Sequence, residues 1–243
     1  MATVAKLLML DTWRKPVSRN EVEVYRAVPF HPRILKFQEL SDFEDYLVLQ
    51  YHPKGDLWSY LIEEKPSLTT RISWALEIAE GITHLHYNSV VWADAHLRNI
   101  LVTEDLHVVL ADFAYSIINP EPLHWFTTRP PPIFTCPIGY YGSPNTHVDI
   151  FGCGVMLFAL LTTRFPWTAD LLPSDAEQEL ATQKHFIQQF DTIDNDSLRE
   201  CFGPVVENCF NVVYATGEEL FTALKTACDK WATSGALLAF ALD

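Results

Sequence analysis

Residues 90–116, VVWADAHLRNILVTEDLHVVLADFAYS, decide the fold that we predict for this chain. Residues 90–92, 100–102 and 108–110 are short runs rich in β-branched side chains, which favour strands. The pair Glu104-Asp105 between the last two runs is typical of a turn, so residues 100–110 predict a β-hairpin.

Three polar side chains lie on the loops around these strands: Asp94, Asn99 and Asp112. Carboxylate and amide oxygens are the ligands that a hard cation such as Mg²⁺ prefers. Asp and Asn are also common turn residues, and each of the three could have that role alone. Their spacing, with all three at strand ends, favours a shared site.

The pattern D-x-x-x-x-N, a hairpin and then D-F-x resembles the catalytic loop and metal-binding motif of eukaryotic protein kinases. The resemblance implies that Asp94 orients and deprotonates a hydroxyl, and that Asn99 and Asp112 hold Mg²⁺ against the phosphates of ATP. His96 replaces the lysine that usually follows the catalytic Asp, and Arg98 is then expected to supply positive charge to the γ-phosphate.

The N-terminal residues extend this resemblance. Val4-Ala5-Lys6, in a strand predicted over residues 3–10, is similar to the V-A-I-K strand whose lysine binds the α- and β-phosphates. Residues 18–28 begin with Ser-x-x-Glu, a capping box, and predict a short helix similar to the kinase C-helix. That alignment makes Glu21 the partner of Lys6. The alternative role of Glu21 is the cap itself, and the two roles are compatible.

The segment YLVLQYHPKGDLWSYL, residues 46–61, resembles the hinge between kinase lobes and the helix after it. The resemblance makes Leu49 the gatekeeper. It also implies that Gln50, Tyr51 and His52 offer backbone groups to adenine, with Asp56 near the ribose. Residues 53–56 independently predict a turn and a helix cap.

Two long helices are predicted on either side of the catalytic segment. Residues 69–87 repeat apolar side chains with a period of 3.6, and residues 148–161 are apolar almost all round, which indicates a fully buried helix. In the resemblance, Asp149 holds the catalytic loop's backbone from beneath. His84 and His86 lie at i and i+2 on their helix, point apart, and are interpreted as packing or surface residues.

The predicted architecture is an α+β, protein kinase-like bilobal fold with a truncated β-rich N-lobe, a C-helix and a mainly α-helical C-lobe. We expect one domain over residues 1–243, with residues 1–51 as a partial N-lobe and residues 52–243 as the C-lobe. The helices predicted around residues 175–190, 197–210 and 216–231 complete it; the last begins with a second capping box, Thr216-x-x-Glu219.

Composition limits the partners. The net charge of −14 argues against nucleic acid or an anionic membrane as the main partner. Five cysteines without a C-x-x-C pair predict reduced thiols in an intracellular, cytoplasmic setting. We see no signal peptide, and no apolar run reaches the ~20 residues of a membrane span. The expected partners are ATP and a protein substrate, whose identity the sequence leaves open together with the oligomeric state.

Several motifs depart from the family pattern. No glycine-rich loop precedes Lys6, Ala93 replaces the arginine before the catalytic Asp, and Ala114 replaces the glycine of D-F-G. The A-P-E motif has only a remnant in Ser143-Pro144-Asn145. Without the arginine, activation by loop phosphorylation is not expected.

Three functions remain open from the sequence. The first is a protein kinase of Ser/Thr type. The second is a pseudokinase that binds or scaffolds without turnover, which the departures favour. The third is a small-molecule phosphotransferase, because D-x-H-x-x-N is also similar to the loop of aminoglycoside and choline kinases.

Overall fold

The structure is a computed structural model of the chain and describes residues 12–16, 18–41, 46–120, 131–137 and 146–234. The strand predicted over residues 3–10, with its Lys6, lies outside the described residues. The Ser143-Pro144-Asn145 remnant also lies outside them.

A three-stranded antiparallel sheet forms the N-terminal part, with the order β1-β3-β2. Its strands are β1 (Thr12–Pro16), β2 (Phe37–Leu40) and β3 (Tyr46–Gln50), and helix α1 (Arg19–Ala27) joins the first two. Strands β2 and β3 pair as an antiparallel hairpin. Leu47 and Leu49 on β3 turn inward and pack with Val22 of α1 in a small apolar cluster.

The helix predicted over residues 18–28 is confirmed, but its capping box forms only in part. The Ser18 hydroxyl accepts a hydrogen bond from the Glu21 N–H at 3.5 Å, as an N-cap does. The Glu21 side chain does not return to the Ser18 backbone, and bonds elsewhere.

The C-terminal part is helical. Its helices are α2 (Leu57–Glu64), α3 (Leu68–Tyr87), α4 (His147–Thr162), α5 (Asp175–Phe186), α6 (Asp196–Phe210) and α7 (Gly217–Thr233). Helix α4 is buried from Asp149 to Leu161, as its apolar sequence predicts, because α3 and α6 pack against it. Among the described residues no helix is long and apolar enough to cross a bilayer.

Two later helices show how caps are formed here. Ser174 and Glu177 make a complete, reciprocal capping box at the start of α5. At the start of α7 the Thr216 hydroxyl accepts from the Glu219 N–H, but the Glu219 carboxylate accepts from the Ala215 N–H at 2.8 Å. The box predicted there is therefore only half formed.

Short strands form most of the segment of residues 90–116. They are β4 (Val90–Val91), β5 (Ile100–Val102), β6 (Val108–Leu110) and β7 (Ile117–Ile118). Strands β5 and β6 form the predicted antiparallel hairpin, and β4 pairs with β7. The Leu35 N–H donates to the Leu110 carbonyl at 2.8 Å, which ties the hairpin to the segment that leads into β2. The α+β fold expected from the sequence is thus confirmed.

Candidate active site

Lys15 joins three separate parts of the fold. Its Nζ lies 2.9 Å from Glu21 Oε2 on α1 and 2.7 Å from Asp112 Oδ1 after β6. Strand β1 pairs with β3 so that Lys15 lies opposite Leu47, which places its side chain beside α1. Within the described residues the lysine that pairs with Glu21 is Lys15, because strand register sets which side chain of β1 reaches the helix. The predicted partner, Lys6, lies outside the described residues.

The surroundings of this ion pair shift the pKa of both Lys15 and Glu21. Burial lowers the pKa of Lys15, but hydrogen bonds to Asp112 and Glu21 more than offset this, and the net pKa is raised. Burial raises the pKa of Glu21 against the opposing effect of Lys15. Glu21 is fully buried, and its other oxygen accepts from the Phe113 N–H at 3.3 Å. Lys15 thus holds its charge between two carboxylates.

Asp94 and Asn99 form the second group. The Asn99 Nδ2 donates to Asp94 Oδ2 at 2.9 Å and to the Asp94 carbonyl at 3.0 Å. These bonds orient the Asn99 amide so that its nitrogen faces Asp94 and its oxygen faces away from Asp94. His96 Nδ1 accepts from the Arg98 N–H at 3.2 Å, so the proton of a neutral ring lies on Nε2, 3.4 Å from Asp94 Oδ1. Both oxygens of the Asp94 carboxylate are therefore held in place.

Asp149 supports this loop from beneath, as predicted. Its carboxylate is fully buried and accepts from the Trp92 N–H at 2.7 Å and the Ala93 N–H at 2.8 Å. Ala93 has a φ of 67°, the conformation in which successive N–H groups can converge on one anion. Gly152, one turn later on α4, permits the close approach of the loop: a Cβ there would lie 2.7 Å from the Ala95 carbonyl oxygen.

His86 is a positioning residue that the sequence interpretation missed. Its Nδ1 accepts from the Gly217 N–H at 2.9 Å, so its Nε2 donates to Asp149 Oδ2 at 3.0 Å. It therefore links the start of α7 to the carboxylate that orients the catalytic loop. Its position four residues before β4 in the chain was the available signal. His84 is a packing residue as interpreted: its ring stacks on His31 with centroids 4.3 Å apart.

A column of aromatic rings connects the two parts of the fold through the site. Phe113 lies 6.4 Å from Trp92 and 5.3 Å from Tyr25, measured between ring centroids, and Tyr25 stacks on Phe37 at 5.4 Å. Phe113 and Trp92 are fully buried. Asp112 is thus followed by a side chain that packs under α1, which holds the Asp112 carboxylate toward Lys15.

Asn20 ties the segment after Asp112 to α1. Its Nδ2 donates to the Ala114 carbonyl at 3.0 Å and to the Ser116 carbonyl at 2.7 Å. Ser116 in turn donates its hydroxyl to the Trp92 carbonyl at 3.0 Å. Hydrogen bonds therefore join the segment from Asp112 to Ser116 to α1 through Asn20 and to Trp92 through Ser116.

The residues predicted to contact adenosine lie at the end of β3, the central strand of the sheet, and in the segment that follows it. Leu49 is buried at the end of β3, and the Gln50 N–H donates to the Lys36 carbonyl at 2.9 Å. The carbonyl of His52 accepts from the Gly55 N–H at 3.1 Å, which closes the predicted turn, and burial lowers the pKa of the His52 ring. Tyr51 is exposed.

Asp56 has the capping role that was predicted for it. Its carboxylate accepts from the Ser59 N–H at 2.9 Å and from the Ser59 hydroxyl at 2.8 Å, at the start of α2. A contact of Asp56 with ribose stays a prediction.

Arg98 is exposed and lies over an aromatic ring. Its guanidinium carbon is 4.5 Å from the centroid of the Trp58 ring on α2, a cation–π geometry. Asp94 and His96, on the same loop, line an open cleft of 680 Å³ whose far wall includes Thr182 and Phe186 of α5. The predicted contact of Arg98 with the γ-phosphate stays a prediction.

The donor set suits magnesium bound together with phosphate. Among the described residues no cluster of three or more His, Cys, Asp and Glu side chains forms a metal site by itself. Mg²⁺ is usually held by one or two carboxylates plus substrate phosphates, and not by a protein cage. The Asp112 carboxylate and the free amide oxygen of Asn99 fit that requirement, and the Asp112 side chain is 38% exposed.

The sequence matches known kinases over most of its length. The protein kinase domain model matches residues 5–213. The chain is 28% identical over 165 residues to the serine/threonine-protein kinase PLK4 of Drosophila grimshawi. The aligned region covers 64% of this chain and 21% of that protein. It is 30% identical over 172 residues to the serine/threonine-protein kinase Nek3 of Mus musculus, covering 68% and 33%. It is also 30% identical over 145 residues to GIN4 of Saccharomyces cerevisiae, covering 56% and 12%.

The chain thus spans a third or less of the length of these relatives. The family match, by contrast, extends from the strand region that carries Lys15 to the end of α6 and includes every side chain of the site described above. This chain belongs to the protein kinase domain family.

Proposed function

We propose that this chain is an active protein kinase of Ser/Thr type, which transfers the γ-phosphoryl group of ATP to a protein hydroxyl. One observation carries the proposal: the Lys15 ammonium lies within 2.9 Å of both Glu21 on α1 and Asp112, which is 97 positions away in the sequence. The Ser/Thr kinases among its relatives support the substrate type.

Each side chain then has a role. Lys15, oriented by Glu21, binds the α- and β-phosphates, and Asp112 and Asn99 hold Mg²⁺. Mg²⁺ supplies neutralisation of the charge on the phosphate oxygens. The substrate hydroxyl gives its proton to Asp94 while its oxygen bonds to the γ-phosphorus and the bond to ADP breaks.

The nucleotide is proposed to lie between residues 1–51 and residues 52–243 of a single domain. Leu49 would border the adenine, residues 50–52 would offer it backbone groups, and Asp56 would lie near the ribose. The Lys15–Asp112 contact would open when phosphates and Mg²⁺ enter, because both side chains then gain new partners of opposite charge. None of the five cysteines, all within the described residues, forms a disulfide, which suits the reducing compartment that we propose for this chain.

A pseudokinase is the second candidate, and two observations favour it. Lys15 and Asp112 already satisfy each other in the structure. In addition, Ala93 and Ala114 replace the arginine and the glycine of the family's motifs. Such a protein would keep the ordered site without turnover.

The first experiment measures thermal unfolding with and without Mg-ATP. At 100 times its dissociation constant, a ligand adds ~2.7 kcal/mol, which corresponds to a rise in Tm of about 5 to 10 °C for a domain of this size. We expect this rise in the wild type with Mg-ATP, and its loss in Asp112→Asn. A matched control is Asp105→Asn, on the turn of the β5-β6 hairpin, which should keep the rise.

The second experiment measures transfer of the labelled γ-phosphoryl group to Ser/Thr peptides, to Tyr peptides, and to sugar and choline analogues. Transfer to Ser/Thr peptides that is lost in Asp94→Asn would support the proposal. Mg-ATP binding without transfer to any acceptor would establish the pseudokinase. Transfer to the small molecules alone would contradict both.

A further inference from the structure

Arg98 projects from the catalytic loop as a fixed cation. It lies in the short 3₁₀ turn Leu97–Asn99, between the buried Leu97 and the buried Asn99, and is itself exposed. Its guanidinium lies 4.5 Å from the Trp58 ring centroid. A guanidinium over an aromatic ring can still donate its N–H groups to a partner of opposite charge.

The Trp58 ring is itself held from three directions. Its Nε1 donates to the Leu171 carbonyl at 2.8 Å, and its ring makes an edge contact with Phe165 at 4.9 Å. It also packs on Phe134, with centroids 6.4 Å apart. The platform beneath Arg98 is therefore rigid, which reduces the entropy that the arginine would lose on binding a partner.

This platform borders the cleft beside Asp94. Phe134 contacts the His96 ring at 5.8 Å, and His96 and Asp94 line the cleft together with Pro131 and Pro132. Four Cα–Cα steps of 3.80 Å separate Asp94 from Arg98, so their Cα atoms lie at most about 15 Å apart. An extended peptide covers that distance in about four or five residues.

No carboxylate pairs with Arg98 among the described residues. Arg164 pairs with Asp191 and Asp194, Arg199 pairs with Asp196, and Arg71 donates to the Pro66 and Leu160 carbonyls. In a chain with 31 acidic and 17 basic residues, a rigid arginine without an acidic partner beside the candidate base is an unusual arrangement. Its charge is available to a molecule that binds beside Asp94.

We propose that Arg98 selects the protein substrate, by binding an acidic side chain that lies within about four residues of the phosphoacceptor hydroxyl. This inference rests on the proposed function and specifies its substrate class. Arg98 binds the peptide in this assignment and not the nucleotide. A carboxylate of the substrate accepts two parallel N–H bonds from the guanidinium. The positive charge of Arg98 neutralises this carboxylate, which Asp94 would otherwise repel.

The test measures peptide binding separately from catalysis. Fluorescently labelled peptides carry Ala in place of the acceptor Ser, and Glu, Gln or Lys is placed at each position from four residues before it to four residues after it. Fluorescence anisotropy gives the Kd for the wild type, Arg98→Gln, Arg98→Glu and the control Arg26→Glu. Arg26 is exposed in the last turn of α1, so this control makes the same change of charge elsewhere.

We expect Glu peptides to bind about threefold to fivefold more tightly than Gln peptides at one or two adjacent positions, the size of one exposed ion pair. Arg98→Gln should abolish the preference, Arg98→Glu should shift it to Lys, and Arg26→Glu should retain it. Phosphoserine at the preferred position then distinguishes a carboxylate site from a phosphate site: binding tighter than that of Glu would assign the phosphorylated residue as the better ligand of the same arginine.

The inference is overturned if no peptide binds at 1 mM, if Glu and Gln peptides bind equally, or if Arg98→Gln keeps the preference and only lowers the Tm. The last result would mean that Arg98 acts by packing on Trp58. An acidic preference that depends on Arg98, in a protein that transfers no phosphate, supports the inference while the proposed catalysis fails. The two failures can therefore be told apart.

Discussion

His185 on α5 makes the stability of this protein depend on pH in a way that can be measured. The side chain is 1% exposed and lies among three aromatic rings, with centroids 5.3 Å from Phe151, 5.9 Å from Phe190 and 6.0 Å from Phe210. Neither ring nitrogen has a hydrogen-bond partner within the described part of the chain. Burial lowers the pKa of His185 from 6.5 to about 4, and the charge of Asp191 opposes that only in part.

The sign and size of the effect follow from these values. Between pH 6.5 and pH 4 the unfolded chain binds a proton at His185 that the folded chain does not bind. The free energy of unfolding therefore falls as the pH falls through this range, by about 3 kcal/mol in total and by about 2 kcal/mol between pH 7 and pH 5.

The perturbation is His185→Leu, which removes the titrating ring and keeps an apolar side chain of similar volume. Urea unfolding of both proteins at pH 7, 6 and 5 gives the free energy of unfolding at each pH. Other groups titrate equally in the two proteins, so the difference between them isolates His185. We expect the variant to gain about 2 kcal/mol relative to the wild type between pH 7 and pH 5.

At pH 7 the variant should be as stable as the wild type, or more stable by up to about 3 kcal/mol, because two unpaired buried nitrogens are removed. Parallel stability curves for the two proteins from pH 7 to pH 5 would refute the reasoning. They would mean that His185 is solvated or paired in solution.

Three further substitutions test the supports of the catalytic loop and the aromatic column. Asp149→Asn should lower the free energy of unfolding by about 3 kcal/mol in urea, because an amide can accept only one of the two backbone N–H bonds with its oxygen; an unchanged value would contradict the anchoring role. Gly152→Ala should destabilise, although alanine favours a helix by about 1 kcal/mol, because its Cβ would lie 2.7 Å from the Ala95 carbonyl oxygen. In the control Gly203→Ala the Cβ meets only the flexible Arg199 side chain, at 3.2 Å and beyond, so urea unfolding should show a gain; equal effects of the two would count against the close approach. Tyr25→Phe should leave the Tm unchanged or raise it, because the Tyr25 hydroxyl is buried without a partner in the described residues; a fall of several degrees would show that the hydroxyl is bonded.

Local sequence patterns were sufficient to predict the elements that neighbouring residues determine. The hairpin over residues 100–110 follows from two β-branched runs around an acidic turn, and the structure has it in the predicted place. Helices α3 and α4 follow from their apolar periodicity, and Asp56 at the start of α2 follows from the preference of Asp for N-caps. Each of these features depends on residues within a few positions of one another.

Asp149 shows how far a resemblance can extend such patterns. A buried aspartate in an apolar helix requires partners, since an unpaired buried charge is costly. The sequence indicated that the partners would be backbone groups of the catalytic loop, and the Trp92 and Ala93 N–H groups are bonded to it. The third partner, His86, was interpreted only as a packing or surface residue, because a single histidine on a helix carries no periodic signal.

The sequence by itself determined the strands and loops of residues 90–116, the order of elements and the α+β class. The hydrophobic period, the turn residues and the motif spacing that predict them can all be read from the sequence alone. Only the tertiary structure decided that Lys15 is the partner of Glu21, that Arg98 lies on Trp58, and that His185 is buried without a hydrogen-bond partner among the described residues. Those contacts join residues from different strands and helices. They depend on strand register and on how helices pack, and several lysines, arginines or histidines fit the same local pattern equally well.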